Sequence, residues 1–166
     1  MRIYFYKVNA PYGCFSNFSP HSIQMPPKTA NESVSKHWAT VEHYYQAHKF
    51  CGTKFEYLMT QIQAAPTPEQ AAQIGRSCQE CYHPDWNLRK CEIMYRAIWQ
   101  KFSSHLDIQQ VLLATLDAEI IEDSPVDYFW GCGTDRTGQN HLGQILMRVR
   151  ADLQARNAER TVMPDG

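Results

Sequence analysis

The stretch ATVEHYYQAHKF, residues 39–50, predicts the helix around which the rest of this 166-residue chain is organised. Thr40 is a favourable N-cap residue, so the helix is expected to begin directly after it and to run to about residue 51. Side chains three, four and seven positions apart share one face of a helix. On that face the sequence places a carboxylate, a phenol, an amide and an ammonium, namely Glu42, Tyr45, Gln46 and Lys49. Such a stripe is either a solvated face with loose ion pairs or a chemically active surface, and the pattern alone allows both.

Glu42 occupies a position that favours a negative charge. It lies in the first turn of the predicted helix, where unpaired backbone N–H groups and the helix dipole attract anions. We therefore expect its carboxylate to stay ionised near neutral pH. An ionised carboxylate suits a general base, or an anion that faces a cationic transition state, better than it suits a general acid.

Toward the N-terminus, two short segments predict a small β element. Residues 2–7 alternate and are rich in aromatic side chains, which is typical of a strand, and a second short strand is expected around residues 22–25. Residues 26–37 contain turn formers and polar side chains, so they predict a loop. This loop is long for a compact domain, which makes it a candidate lid.

Toward the C-terminus, the predicted elements are mostly helices. Helices are expected over residues 53–64, 67–75, 85–102 and 106–115, and from 142 onward, with a strand over 119–122. Thr67, followed by proline, is expected to cap the helix over 67–75. The apolar face of the last helix is expected to be Leu142, Ile145, Leu146, Val149 and Leu153. The apolar stripe of the 85–102 helix is expected to be Leu88, Cys91, Tyr95, Ile98 and Phe102. The fold class is therefore α+β, a helix-rich single domain with a small N-terminal β element. This domain is placed at residues 1–155, and residues 156–166 are expected to form a loose tail.

Charge and hydropathy exclude several classes of protein. The formal net charge is -1, so no overall field draws the chain to nucleic acid or to an anionic membrane, and only a local basic patch stays open. No apolar run approaches the roughly 18 residues of a membrane span, and the N-terminus lacks the layout of a signal peptide. We therefore expect a cytoplasmic protein without a membrane partner.

The six cysteines are expected to be reduced, because no secretory signal is present. Cys78 and Cys81 form one C-x-x-C pair, with His83 and Cys91 nearby, but the second pair of a usual zinc site is missing. His43 and His48 are five residues apart, which is a poor spacing for a helical metal pair. No metal site is predicted.

A second informative stretch is DYFWGCGTDRTGQNHLGQILMRVR, residues 127–150. Its glycines permit close approach of the backbone to a ligand, and the start of the final helix behind them can receive a phosphate. The glycines match neither a Walker A motif nor a dinucleotide fingerprint. An ordinary loop with an aromatic anchor remains the simpler alternative.

Four blocks of the sequence resemble the NADAR family, also called YbiA-like. They are GCFSNFS at 13–19, TVEHYYQAHKF at 40–50, AAQIGRS at 71–77, and the whole of 127–150. The resemblance covers roughly residues 3–153, and the order and spacing of the blocks make it specific. It implies an N-glycosidase with a helix-rich α+β fold that uses neither a metal nor a cofactor.

The resemblance, together with the chemistry of glycoside cleavage, assigns catalytic roles to three residues. Breaking an N-glycosidic bond develops positive charge on the sugar. Glu42 matches the family's carboxylate and is expected to stabilise that charge and to orient water. Asp127 matches a second acidic position, for a ribose hydroxyl or the departing base. Lys49 is expected to bind phosphate or to stabilise a developing negative charge, with attack on the opened sugar as the less favoured alternative.

Other residues are expected to bind the substrate. Trp130 is a stacking platform for a flat heterocycle, and Trp86 either stacks in the same way or packs in the core. Arg76 is a candidate clamp for a phosphate group, since its guanidinium is planar and forked. The remaining predicted binding residues are Phe15, Asn17, Tyr45, Gly131 and Asn140. For Asn140 the alternative is a cap of the last helix.

The chain departs from the family pattern at Cys132, where an acidic residue is common. Asp135, three residues later, either compensates for the missing acid or binds something else. Three functions therefore stay open: an N-glycosidase for ribosylaminopyrimidine and ribosylaminouracil 5′-phosphates, which are riboflavin-pathway intermediates; an enzyme that removes ADP-ribose from guanine in nucleic acid; and a silent nucleotide-binding module. The predicted partner is thus a small phosphorylated N-riboside or ADP-ribosylated nucleic acid, and the oligomeric state is left undetermined.

Overall fold

The computed structural model describes residues 1–26 and 36–162. The elements follow in the order β1 (Arg2–Phe5), β2 (Ile23–Met25), β3 (Lys36–Trp38), α1 (Val41–His48), α2 (Tyr57–Gln63), α3 (Pro68–Arg76), α4 (Trp86–Ser104), α5 (Leu106–Leu113), β4 (Glu119–Glu122) and α6 (His141–Val162). The predicted α+β, helix-rich class is confirmed. In the described residues, no helix has the length and apolarity that crossing a membrane requires.

The chain divides into two compact units. The first combines Met1–Ser16 with Phe102–Gly166, and the second is the contiguous segment Asn17–Lys101. In the first unit, β1 pairs in parallel with β4, so that Arg2 lies opposite Glu119 and Phe5 opposite Glu122. The alternation that predicts β1 also decides its burial, because Ile3 and Phe5 are buried while Arg2 is exposed.

Helix α6 supplies much of the core of the first unit. Its predicted apolar stripe is buried along its whole length: Leu142, Ile145, Leu146, Val149 and Leu153. The helix continues through residues 156–162, so the prediction of a loose tail is wrong for these residues, and Arg156 Nη1 donates to Ser103 Oγ at 3.3 Å. Residues 163–166 of that tail lie outside the described residues.

In the second unit, two helices begin with the same cap. Thr40 Oγ1 accepts from the backbone N–H of His43 at 3.3 Å, and Thr67 Oγ1 accepts from that of Gln70 at 3.2 Å. Each threonine thereby satisfies one of the unpaired N–H groups at a helix start. Both predicted caps are confirmed, and α1, α2 and α3 pack against one another.

The predicted loop 26–37 needs a correction at its C-terminal end. Lys36–Trp38 forms β3, which pairs antiparallel with β2 so that Met25 lies opposite Lys36 and Ile23 opposite Trp38. The polar residues Lys36 and His37 conceal this strand in the sequence, because both are exposed and only Trp38 enters the core. Residues 27–35, on which the lid prediction mainly rests, lie outside the described residues.

The apolar face of α4 also differs from the predicted stripe. Leu88 is 85 % exposed, whereas Trp86 is buried at the start of the helix. The buried positions further along are Ile93, Met94, Ala97, Ile98 and Phe102. The predicted stripe is therefore correct only in the last turns of the helix. In its first turn, Trp86 rather than Leu88 faces the interior.

The expectation of reduced cysteines is wrong for one pair. Cys78 and Cys81 form a disulfide across the short 3₁₀ turn Gln79–Cys81. Cys14, Cys51, Cys91 and Cys132 are free thiols.

Candidate active site

The stripe on α1 is buried rather than solvated. Glu42, Tyr45, Gln46 and Lys49 are each 7 % exposed or less. Removing a carboxylate and an ammonium from water is costly unless each finds partners, so an ion-pair face that merely solubilises a helix does not explain this burial. The burial favours the chemical interpretation of the stripe.

Glu42 is held at both its backbone and its side chain. Its N–H donates to the carbonyl of Asn17 at 3.1 Å, and Gln46 Nε2 donates to Glu42 Oε1 at 2.7 Å, one helical turn away. The first turn of α1 adds the favourable field of the helix N-terminus. The carboxylate is therefore fixed in direction and stabilised as an anion.

Lys49 lies at the other end of the stripe among aromatic rings. Its Nζ donates to Tyr82 Oη at 3.2 Å and lies 4.8 Å from the centre of the Tyr82 ring and 5.5 Å from that of Tyr45. Burial lowers the pKa of Lys49 to about 8; the charge of Glu42 opposes that shift, and Arg76 adds to it. Close to neutral pH the amine is therefore still mostly protonated, but it loses its proton more readily than an ordinary lysine.

Arg76 supplies a second cation at the end of α3. Its side chain is exposed, and among the ion pairs of the described residues none involves Arg76. A guanidinium without a carboxylate partner is free to bind an incoming anion, which agrees with the predicted phosphate clamp.

Gly75 lets α3 approach α1 closely. A Cβ atom added at Gly75 would lie 2.1 Å from Gln46 Oε1 and 2.7 Å from Gln46 Cβ. The glycine thus makes room for the amide that holds Glu42. Its own carbonyl accepts from Tyr82 Oη at 2.8 Å, so the same residue also supports the phenol beside Lys49.

The substitution Gly75→Ala is expected to destabilise the protein by about 1–3 kcal/mol, the usual cost of overpacking a core. Alanine in place of a helical glycine would otherwise gain roughly 0.5–1 kcal/mol, but the overlap with Gln46 outweighs this gain. Urea unfolding measures the change. In a Gln46→Ala background, Gly75→Ala should cost less, because two of the three overlapping atoms are gone; an equal cost in both backgrounds would contradict this account.

Of two predicted binding residues in the second unit, Trp86 packs in the core and Asn17 contacts the backbone of Glu42. Trp86 is 6 % exposed and its ring lies 5.2 Å from that of Tyr45, so the structure favours the packing alternative for Trp86. Asn17 supports Glu42 through its carbonyl, while its side-chain Nδ2 donates to Met94 Sδ at 3.4 Å. Within the described chain, Asn17 Oδ1 is buried without a hydrogen-bond partner, which leaves this acceptor unused.

In the first unit, Asp127 organises the aromatic loop. Its Oδ1 accepts from the backbone N–H groups of Phe129 at 2.9 Å and of Trp130 at 2.6 Å. Trp130 is half-buried, which leaves part of its ring available for stacking. Gly131 is required by close packing, since a Cβ there would lie 2.9 Å from Ser124 Cβ and 3.0 Å from the carbonyl of Glu122.

Asn140 and Phe15 both have structural contacts within the first unit. Asn140 Nδ2 donates to the carbonyl of Ile120 at 2.9 Å and its Oδ1 accepts from the N–H of Glu122 at 3.0 Å, so its amide joins β4 to the start of α6. Phe15 is 1 % exposed and packs edge-on against Phe5 and Phe102. The ligand contacts predicted for both residues stay predictions.

The acid beside Cys132 is Asp123 rather than Asp135. Cys132 Sγ lies 3.4 Å from Asp123 Oδ1, and Asp123 forms an ion pair with Arg136 at 3.7 Å. Burial and the neighbouring carboxylate raise the pKa of the Cys132 thiol, so it stays protonated and donates to that acid. Asp135 instead accepts from the N–H and the hydroxyl of Thr137, and these two hydrogen bonds stabilise the turn at residues 135–137.

A cavity of about 520 Å³ lies on the neighbouring face of α1. Tyr44 and His48 line it together with Trp38, and it contains no predicted site residue. Elsewhere in the described residues, no three His, Cys, Asp or Glu side chains converge to hold a metal ion.

Sequence reasoning misses Tyr82 and Asp123. Tyr82 lies 33 residues from Lys49 in the chain, and no periodicity links the two. Asp123 directly follows β4, and its distance of nine residues from Cys132 matches no motif. Both become visible only when tertiary contacts are known.

Comparisons with known proteins agree on one family. The model of the NADAR domain matches residues 4–154. A protein of Nostoc punctiforme named N-glycosidase Npun_R5314 is 51 % identical over 93 % of this chain and 94 % of its own. The maize protein named Riboflavin biosynthesis protein PYRR, chloroplastic, is 44 % identical over 91 % of this chain, which corresponds to 25 % of that longer protein. The solved NMR structure of the Escherichia coli protein YbiA covers 99 % of this chain and 92 % of its own, with a TM-score of 0.80 and 32 % identity.

Proposed function

The chain belongs to the NADAR domain family, and we propose that it hydrolyses the bond between base and ribose in phosphorylated intermediates of riboflavin biosynthesis. The predicted enzyme class, an N-glycosidase, is confirmed by the names of relatives that match nearly the whole chain. The substrate rests on two further relatives that are named riboflavin biosynthesis proteins. The products would be the free heterocycle and ribose 5-phosphate.

The observation that carries the proposal is the buried pair of opposite charges on α1. Glu42 and Lys49 are 5 % and 6 % exposed, and each is held by a hydrogen bond of its own. Charges placed in a site of low dielectric interact more strongly with a developing charge than they would in water. A site of this kind fits a reaction whose transition state separates a cationic sugar from an electron-rich base.

In the proposed mechanism, Glu42 faces the anomeric carbon. As the C1′–N bond lengthens, its electron pair leaves with the base and positive charge grows on the sugar. The carboxylate stabilises that charge, and it orients the water that attacks C1′ and accepts a proton from it. Gln46 keeps the carboxylate in one direction throughout, because its amide donates to Oε1.

Lys49 is proposed to act as an ammonium ion that stabilises the negative charge developing on the departing base. Lys49 is 6 % exposed, so water screens its charge only weakly and the interaction with the developing negative charge is stronger. Arg76 is the proposed clamp for the 5′-phosphate.

The direct test is an assay with three substrates. Purified protein is incubated with the ribosylaminopyrimidine phosphate, the ribosylaminouracil phosphate and ADP-ribosylated guanosine, and the freed sugar is measured by mass spectrometry. We expect ribose 5-phosphate from the two pyrimidine ribosides. Release of ADP-ribose alone would transfer the activity to modified guanine, and saturable binding without release of any sugar would identify a silent binding module.

The pH dependence of turnover is expected to show the titration of Lys49. Since the pKa of Lys49 is about 8, the ammonium form predominates below pH 8 and is lost above it. Turnover that requires the ammonium should therefore be constant below the midpoint and fall about tenfold per pH unit above it. A rate profile between pH 6 and 10 measures this. The alkaline fall should be absent from the residual activity of Lys49→Met, and a shared fall would assign it to another group.

A further inference from the structure

Tyr82 contacts Lys49 with both its ring and its hydroxyl. The ammonium lies 4.8 Å from the ring centre, and Lys49 Nζ donates to Tyr82 Oη at 3.2 Å. The hydroxyl in turn donates to the carbonyl of Gly75 at 2.8 Å. Tyr82 thus connects the reactive end of α1 to the C-terminal turn of α3.

The donors and acceptors of these two hydrogen bonds can be assigned in only one way. A phenol has one O–H donor and lone pairs that accept, whereas a backbone carbonyl only accepts. The single proton of Tyr82 must therefore point at Gly75. Lys49 can only donate to Tyr82, and this holds whether the amine is charged or neutral, because a neutral amine keeps two N–H donors.

The position of Tyr82 is itself fixed on several sides. The carbonyl of Gly75 belongs to the last turn of α3, where it lacks a partner within the helix and accepts the phenol instead. The ring packs edge-on against Phe50 at 5.6 Å. The Cys78–Cys81 disulfide closes the turn directly before Tyr82, and the N–H of His83, directly after it, donates to the carbonyl of Lys49 at 2.7 Å.

We propose that Tyr82 is a positioning residue for the reaction: its hydroxyl takes up one N–H of Lys49 and thereby directs the remaining N–H bonds of the amine toward the substrate. This inference rests on the proposed function, in which Lys49 is the catalytic cation. Tyr82 does not touch the reacting atoms. Its effect is to hold the ammonium in one orientation and to stabilise its charge.

The test compares two substitutions that each remove one phenolic oxygen. Tyr82→Phe keeps the ring over Lys49 and against Phe50 but removes the hydroxyl. Tyr57→Phe is the matched control, because Tyr57 is 59 % exposed and belongs to the same unit. Both variants are compared with wild type in melting temperature, kcat, KM and the pH profile of turnover.

For Tyr82→Phe we expect kcat to fall about tenfold at pH 7 with little change in KM, because one hydrogen bond to the charged amine is lost. The loss of an acceptor from an ammonium group favours the neutral amine, so the alkaline fall in turnover should move to lower pH by about one unit. Tyr57→Phe should match wild type in every measurement. A Tyr82→Phe variant with lower kcat but an unchanged pH profile would show a merely structural role and overturn the proposal.

A second measurement separates this proposal from the proposed function. The titration of Lys49 is followed by NMR in protein carrying ¹³C-labelled lysine, with the signal assigned by its absence in Lys49→Met. The midpoint should be lower in Tyr82→Phe than in wild type and in Tyr57→Phe, whatever the substrate is. An unchanged midpoint overturns the role of Tyr82, whereas a wild-type protein that hydrolyses none of the tested ribosides overturns the proposed function.

Discussion

Glu42→Gln is expected to reduce turnover about 1,000-fold while the protein stays folded. The substitution removes the negative charge that stabilises the cationic sugar, and removing one preorganised electrostatic contact in an active site typically costs 10²–10³ in rate, about 2.7–4 kcal/mol. The glutamine oxygen can still accept from Gln46 Nε2, which now donates at 2.7 Å to the carboxylate. We therefore expect little change in the free energy of unfolding, measured by urea denaturation beside the assay.

Glu69→Gln is the control that the chain itself provides. Glu69 occupies the same position after Thr67 as Glu42 does after Thr40, in the first turn of a helix with the same cap. The two differ in burial, since Glu69 is exposed and Glu42 is 5 % exposed. The effect of charge at a helix start is therefore shared, and only Glu42→Gln should lose turnover. Comparable turnover in both variants would remove Glu42 from the mechanism.

Lys49→Met is expected to reduce turnover about 100-fold, the lower end of the range for a positioned acid or base. Methionine fills a similar volume between the rings of Tyr45 and Tyr82 but carries no charge and no donor. The departing base then loses the cation that stabilises it. Steady-state kinetics should show the loss in kcat more than in KM.

Lys54→Met is the matched control for this second substitution. Lys54 also lies over an aromatic ring, at 5.1 Å from the centre of Phe55, but its side chain is exposed. The two variants remove the same charge from the same unit, so a general electrostatic effect would appear in both. Equal losses in the two would count against a specific role for Lys49.

Local signals predict much of this structure. Thr40 and Thr67 predict two helix starts correctly because an N-cap is decided within one turn of chain. The stripe of α6 is predicted because one helix face meets one core. The same local rules fail for Leu88, which has the right spacing but no neighbour to bury it, and for β3, whose two exposed polar residues mask a strand.

The candidate site is predictable only in part, for a physical reason. Glu42 and Lys49 lie on one helix, so spacing alone brings them together, and the resemblance adds their chemical role. The burial of the stripe and the role of Gly75 and Tyr82 depend on packing between elements that are distant in the chain. For Asn140 and Phe15, the motif match alone does not reveal that each side chain also has contacts within the fold.

The pairing of β1 with β4 has a consequence for the order in which the protein forms during synthesis. Arg2 can pair with Glu119 only after residue 119 has left the ribosome. The β1–β4 sheet closes a loop of more than a hundred residues, so we expect it to form late in synthesis. Asn17–Lys101 is one uninterrupted segment, whose helices can nucleate as soon as they emerge. The nascent chain is therefore expected to acquire protease resistance in two stages, with the segment that carries Glu42 and Lys49 protected first.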